Sequence, residues 1–482
     1  MGLLGILLGL VLLVGLAFRG WSVLLLAPIA ALVAALLSGE PLLAHWTQTF
    51  MPSAAQFLAQ FFPLFLLGAL FGKLMEDSGS VTVIADAMIR KLGQGRAVLA
   101  VVLAGAIVTF GGVSLFVAFF VLAPMAAQVF RAADVPRRLM PAAIALGTST
   151  FTMSAFPGTP SIQNAIPMPF FGTTPFAAPG LGIIASIIML VFGMAWLNRV
   201  EAAARKAGEG FGGTATAGTA TVDDGLRERA ATAHEFDTAE LARGGASSSA
   251  PSLLLAALPL VVVILVNMAM SLVILPRLDL AFLAEPRFGE TSLAGVGGVW
   301  AVITALASAI VVVLAINFRR LTAVRATIDA GANASVLPVL SVASLVGFGA
   351  VVAAMPAFQI VSDWVLGIGG GPLVSIAAAT NILSALTGSA SGGLTIALDA
   401  LGGTYLERAA AIGMDPALLH RVAVMASGTL DSLPHNGAVV TLLAVCGVTH
   451  REGYRDIVMV GIVGAMIALV AVILLGSLFG SF

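Results

Sequence analysis

Three ionisable side chains, Asp399, Asp431 and His435, stand in parts of this sequence that are otherwise almost free of charge. Asp431 and His435 share the stretch SGTLDSLPHNG (427–437), and Asp399 follows TGSASGG (387–393). An ionised Asp at the centre of an apolar helix costs about 2.5–3.5 kcal/mol on insertion scales, so a carboxyl kept there points to proton or ion traffic. An ordinary Asp, with a pKa of about 3.9, stays ionised near neutral pH and cannot shuttle protons. Asp431 can do so only from a desolvated position that favours its neutral form; an imidazolium at His435 would oppose that, so the two would titrate as a unit. Each residue also has a plainer reading. Asp431 could cap a half-helix after Pro434, His435 could serve as a hydrogen-bonding residue at a break, and Asp399 could lie near outer water. Asp86 and Asp363, in the amphipathic stretches VTVIADAMIRKL and FQIVSDWVLGI, read as interfacial polar positions.

The other chemistry on offer is hydrogen bonding without charge. Gly111, Gly112 and Ser114 form one polar cluster; Thr159, Ser161, Gln163 and Asn164 a second; Thr387, Ser389, Ser391, Gly392 and Thr395 a third; Asn436 belongs to a fourth. No Lys or Arg accompanies them except Arg421, near an outer end. A helix N-terminus presents unpaired N–H groups and about half a positive charge, so it can hold an anion without a basic side chain. Glycine lets that backbone approach closely, and Ser, Thr, Asn and Gln supply the directional bonds that suit a hydroxylated ligand. These residues are the candidate substrate site; the alternative is that small side chains merely let helices pack. No His/Glu spacing suits a metal and no Gly-x-Ser-x-Gly elbow stands in a mid-membrane helix, so no metal, cofactor or enzymatic catalysis is expected.

The elements that carry these residues follow from composition. Of 482 residues, 59% are hydrophobic and 10% charged, with a mean hydropathy of +1.06, whereas soluble domains carry roughly a quarter charged residues. The apolar residues come in runs long enough to cross a bilayer, which predicts spans near 3–17, 21–37, 55–75, 177–197, 252–273, 294–317, 333–355 and 456–478. The N-terminal run lacks the charged flank of a secretory signal and reads as the first span. The net charge of −1 argues against nucleic acid, and the single Cys446 excludes an internal disulfide. Arginine outnumbers lysine heavily, as in a GC-rich bacterial genome.

Four segments are too long for simple spans. Ala97 to Phe130 is 34 residues without charge, about 50 Å as one helix against a hydrocarbon core of about 30 Å. It must break, and Gly111-Gly112 sits near its middle; Pro372 to Leu401 has the same build around Gly392-Gly393. Regions 139–172 and 417–449 are interrupted by SAFPGTPSIQN and DSLPHNG. Arg90, Lys91 and Arg96 precede the first segment, and Arg131, Arg137 and Arg138 follow it. Because cytoplasmic flanks collect Lys and Arg, that segment is expected to enter and return on one side as a re-entrant hairpin. With Pro372 to Leu401 treated alike, and 139–172 and 417–449 counted as broken crossings, every Lys and Arg but Arg277, Arg287, Arg408 and Arg421 falls inside.

The chain also repeats itself weakly. Phe71-Gly72, Asp86 and Gly93 return as Phe348-Gly349, Asp363 and Gly370; Gly111-Gly112-Val-Ser114 resembles Gly392-Gly393-Leu-Thr395; Thr152 with Pro157 matches Thr429 with Pro434. In the expected topology the two copies run in opposite directions. Inverted repeats with broken helices at mid-membrane are the architecture of secondary transporters. The expected fold is therefore an all-α integral membrane protein, an inverted-repeat transporter with two re-entrant hairpins and two broken helices. Its expected divisions are N-terminal membrane helices at 1–54, a first repeat at 55–200, a cytoplasmic linker at 201–250, connecting helices at 251–332 and a second repeat at 333–482. Asp431 aligns with Ser154, so only one repeat carries the acid.

The order of these elements resembles the ion transporter superfamily. Within it, GTSTFTMSAFPGTPSIQNAIPMPFFGT (147–173), with TGSASGG and SGTLDSLPHNG, is similar to the gluconate:proton symporter (GntP-type) family of organic-anion permeases. The resemblance implies a homodimer in a bacterial inner membrane, each protomer with a scaffold domain and a transport domain moving like an elevator. It implies proton-coupled symport of a small hydroxy-acid or sugar-acid anion such as gluconate. The alternative on the same scaffold is a sodium-coupled carboxylate carrier or a cation/proton antiporter, which would favour more carboxylates.

Overall fold

The computed structural model describes residues 2–482 except 18, 20, 213–242, 246, 248 and 435, and the described residues are helical, with no strand. Most of the expected linker, and His435, thus lie outside the described residues. The chain opens with a pair, α1 (Gly2–Ala17) and α2 (Val23–Ser38), then the long α3 (Leu42–Asp77). After α3 come a short amphipathic helix, α4 (Ser80–Leu92), and two antiparallel arms, α5 (Ala97–Phe110) and α6 (Leu115–Ala132). Next is an interrupted helix: α7 (Met140–Thr148), then single turns at Phe151–Ser154, Ile162–Ala165 and Pro167–Phe171. The long α8 (Pro179–Lys206) follows.

Helices α9 (Leu253–Arg277) and α10 (Leu293–Asn317) then lead into the same order a second time. It consists of α11 (Val324–Ala354), the amphipathic α12 (Phe358–Leu366), the paired arms α13 (Gly371–Thr387) and α14 (Ala390–Ala411), an interrupted helix formed by α15 (Pro416–Leu430) and α16 (Gly437–Cys446), and the long α17 (His450–Phe479). Among the described residues six helices are apolar and long enough to cross a membrane, each with an outward hydrophobic face, as α9 presents through Leu254, Val261 and Leu265. This is an all-α, multi-pass membrane architecture.

Local chemistry explains the breaks. Gly112 turns the first hairpin at φ +96°, a left-handed conformation that a β-carbon disfavours. The second hairpin turns at Gly388 (φ +63°) and Ser389, whose hydroxyl accepts the Gly392 N–H to start α14. The turn therefore comes before Gly392-Gly393, the pair matched in sequence to Gly111-Gly112. Gly393 instead lies in the first turn of α14, where a side chain would collide with Ser384 of the opposite arm. Helix α3 begins well before residue 55 because its first turns, His45 to Phe50, are polar and invisible to a hydropathy window. Two groups of helices result: α3 packs against α10 and α11, with α2 on α11, while α13 packs on α15, α5 on α7 and α8 on α17. The functional candidates lie where these groups meet.

Candidate functional site

A cavity of about 230 Å³ opens between α3, α11, the first hairpin tip, the first helix break and the start of α14. Five of the expected residues line it: Gly112 and Ser114 from the tip, Ser161 and Gln163 from the break, and Ser391 from α14. Thr109 fixes their mutual position. Its hydroxyl donates to Gly105 O at 2.7 Å and stands 3.4 Å from Thr152, whose own hydroxyl donates to Gly147 and Thr148 carbonyls at 3.0 Å, so tip and break are tied together. Ser161 donates to Met153 O at 2.8 Å and accepts the Asn164 N–H, holding the break open beside the cavity. Ser114 precedes α6 without capping it, so its hydroxyl leaves the first-turn N–H groups there open.

The remaining candidates are occupied elsewhere. Gly111 packs on Leu260 of α9. Thr159 is fully buried and its hydroxyl has no hydrogen-bond partner among the described residues. Asn164, also fully buried, donates to Thr159 O and Pro175 O at 3.0 Å, and its oxygen accepts from His420 Nε2 at 3.2 Å and Arg421 Nη1 at 3.4 Å. Thr387 donates to backbone carbonyls around the second tip, and Gly392 donates its N–H to Ser389. Asn436 caps α16 through the Ala438 and Val439 N–H groups and donates to Gly388 O at 2.8 Å. It thus takes the capping role open to Asp431, and it brings the second break to the tip of the second hairpin.

A second cavity, of about 210 Å³, holds Thr395 and Asp399 beside Ser53, Gln56 and Gln60 of α3. Asp399 is exposed there. Asp431 lines neither cavity; it ends α15, half-buried, with the Ser432 hydroxyl donating to it at 3.2 Å.

Two features escape the sequence reading. Arg421, expected near an outer end, is wholly buried; it donates to Ala177 O through Nε at 3.0 Å and Nη2 at 2.6 Å, with no carboxylate in ion-pair contact among the described residues. Its neighbour His420 meets the Thr173 hydroxyl at 2.6 Å through Nδ1. Lys73, on α3 and outside the four broken segments, lines the first cavity; its ammonium lies 3.0 Å from Asp77 and 3.4 Å from Glu76. The signal was available: one of three lysines in the chain, set in an apolar helix with two acids one turn on.

No protein-family model matches the chain. It is 40% identical over 487 aligned positions, the full length of both chains, to a protein of Bacillus subtilis (strain 168) named as the uncharacterised transporter YxjC. It is also 31% identical over 161 positions to the high-affinity gluconate transporter of Escherichia coli (strain K12), covering 33% of this chain and 35% of that one.

Proposed function

Since this chain belongs to the gluconate:proton symporter (GntP-type) family of organic-anion permeases, we propose that it is a secondary transporter carrying a small hydroxy-acid or sugar-acid anion together with a proton. The observation that carries this reading is the first cavity, where a hairpin tip, a helix break and the start of α14 meet two long helices. Irregular backbone at membrane depth is tolerated where it lines a wet cavity, and such sites are where secondary transporters bind substrate. At about 230 Å³ the space is smaller than the roughly 300–1,000 Å³ of sites for drug-sized ligands, which suits a small metabolite. The uncapped start of α6 offers N–H groups to a carboxylate, and Ser114, Ser161, Gln163 and Ser391 offer partners for hydroxyls. Arg421, buried behind the break with Asn164, adds positive potential.

The repeated element order supports inverted repeats, with both hairpins re-entrant and the basic flanks of the first one cytoplasmic. An elevator motion is supported by the two cavities. The first lies along α3 from Leu64 to Lys73 and the second from Ser53 to Phe61, a displacement of roughly 11 residues or about 16 Å along one helix. In this reading α3, α10 and α11 are the scaffold, probed at two levels by one moving site. Proton coupling falls to Asp431, with Asp399 and His435 as the alternatives, and the family implies a homodimer.

The test is accumulation of labelled gluconate by proteoliposomes under an imposed pH difference, with a sodium gradient as the parallel arm. The proposal expects accumulation with the first gradient and none with the second; the reverse result would establish the sodium-coupled reading.

A further inference from the structure

Lys73 carries the only charge among the described residues lining the first cavity. Its side chain is about 5% exposed, on a helix that is otherwise apolar at that depth. Its partners are not equivalent. Asp77 turns one carboxylate oxygen to the ammonium at 3.0 Å, while the other accepts the Thr327 hydroxyl at 2.6 Å and the Gly245 N–H at 3.2 Å. The Asp77 carbonyl further accepts the Ser247 N–H at 2.8 Å. At Gly244, with φ +109°, a side chain would collide with that carboxylate, so the linker end closes tightly over it. Asp77 therefore keeps hydrogen-bond donors even when the ammonium leaves, which removes much of the penalty for an abandoned buried charge. Lysine, a point charge on a flexible four-carbon stem, can make such a move.

We infer that Lys73 is the cationic contact for the carboxylate of the transported anion, and that Asp77 is the resting partner it gives up. This rests on the anion-transport reading above and names the group that makes the site select acids over neutral polyols. The cluster of Lys73, Glu76 and Asp77 holds one positive and two negative charges. An incoming carboxylate takes the ammonium from Asp77 and adds one negative charge to the cluster, which a proton arriving with the anion offsets; that is the charge balance of a proton-coupled carrier.

The experiment compares wild type with K73R, K73Q, D77N and K73Q/D77N in proteoliposomes, reading the half-saturating gluconate concentration for counterflow without a gradient. The expected result is a rise of at least tenfold for K73Q, a smaller rise for K73R, a fall for D77N as the competing partner is lost, and no recovery in the double variant. A K73Q value within twofold of wild type overturns the inference. So do equal losses in both single variants with recovery in the double, the pattern of a purely structural ion pair. Wild type that shows no counterflow with gluconate contradicts the gluconate reading, not Lys73. The variants are then compared by the thermal shift that lactate, glycerate or citrate gives the solubilised protein; wild type stabilised by none of them overturns both.

Discussion

Asp431 ends α15 beside a break whose next polar anchor, Asn436, grips the tip of the second hairpin. In the proposed mechanism a proton taken up at Asp431 acts on that tip through the backbone of the break, and not by touching an anion in the first cavity. With one proton per anion, a pH difference of one unit is worth about 1.4 kcal/mol, or about tenfold accumulation. Asp431→Asn should lower the accumulation ratio to about one while leaving exchange of labelled for unlabelled gluconate. A variant that still concentrates gluconate under the pH difference would move the coupling role to Asp399 or His435. The polar candidates were partly legible because hydroxyls and glycines in long apolar runs mark broken backbone, as Ser114, Ser161, Gln163 and Ser391 do. Sequence could not separate these from Asn164 and Asn436, whose amides are consumed inside the protein, since that depends on which carbonyls the fold leaves open. Lys73 is legible as a rare lysine in an apolar helix, but its setting is not: the hydrogen bonds that Thr327 and Gly245 give to its partner Asp77 arise only in three dimensions.

A break between α5 and α6 could be anticipated at the level of elements because a charge-free run of 34 residues exceeds a single crossing, and one between α13 and α14 because that segment has the same build. The position of the second turn could not, because Gly388 and Gly392-Gly393 are equally permissive and packing against Ser384 decides between them. The bases of α5 and α6 lie at one end of the molecule, as an antiparallel pair requires. Arg138, just past α6, reaches both Glu209 at 2.7 Å and Asp456 at 3.1 Å, so this end also receives the exit of α8 and the start of α17. Single cysteines at 95 and 133, introduced after replacing the buried Cys446, should both be labelled from the cytoplasmic side only. Labelling from opposite sides would show α5 and α6 to be one crossing instead of a re-entrant pair.

For the whole molecule, the linker ends meet different helices. Residues 209 and 211 bond to Arg138 and Asp134 beside the first hairpin, whereas residues 245 and 247 bond to Asp77 at the end of α3. If the hairpins travel along α3 between the levels of the two cavities, the linker spans moving and fixed parts. The overall architecture was the most legible feature of the sequence, because a bilayer forces spans, breaks and charge asymmetry into plain view; the meeting of the cavity walls was the least, because it joins residues hundreds of positions apart. The proposed transport carries an organic anion and a proton across together. Its most direct measurement is the luminal pH of proteoliposomes containing a trapped pH-sensitive dye, held at equal pH on both sides without sodium, when gluconate is added outside. The expected result is that the lumen acidifies in step with the entry of labelled gluconate. Entry of the label with no change in luminal pH, or entry only when sodium is present, would contradict it.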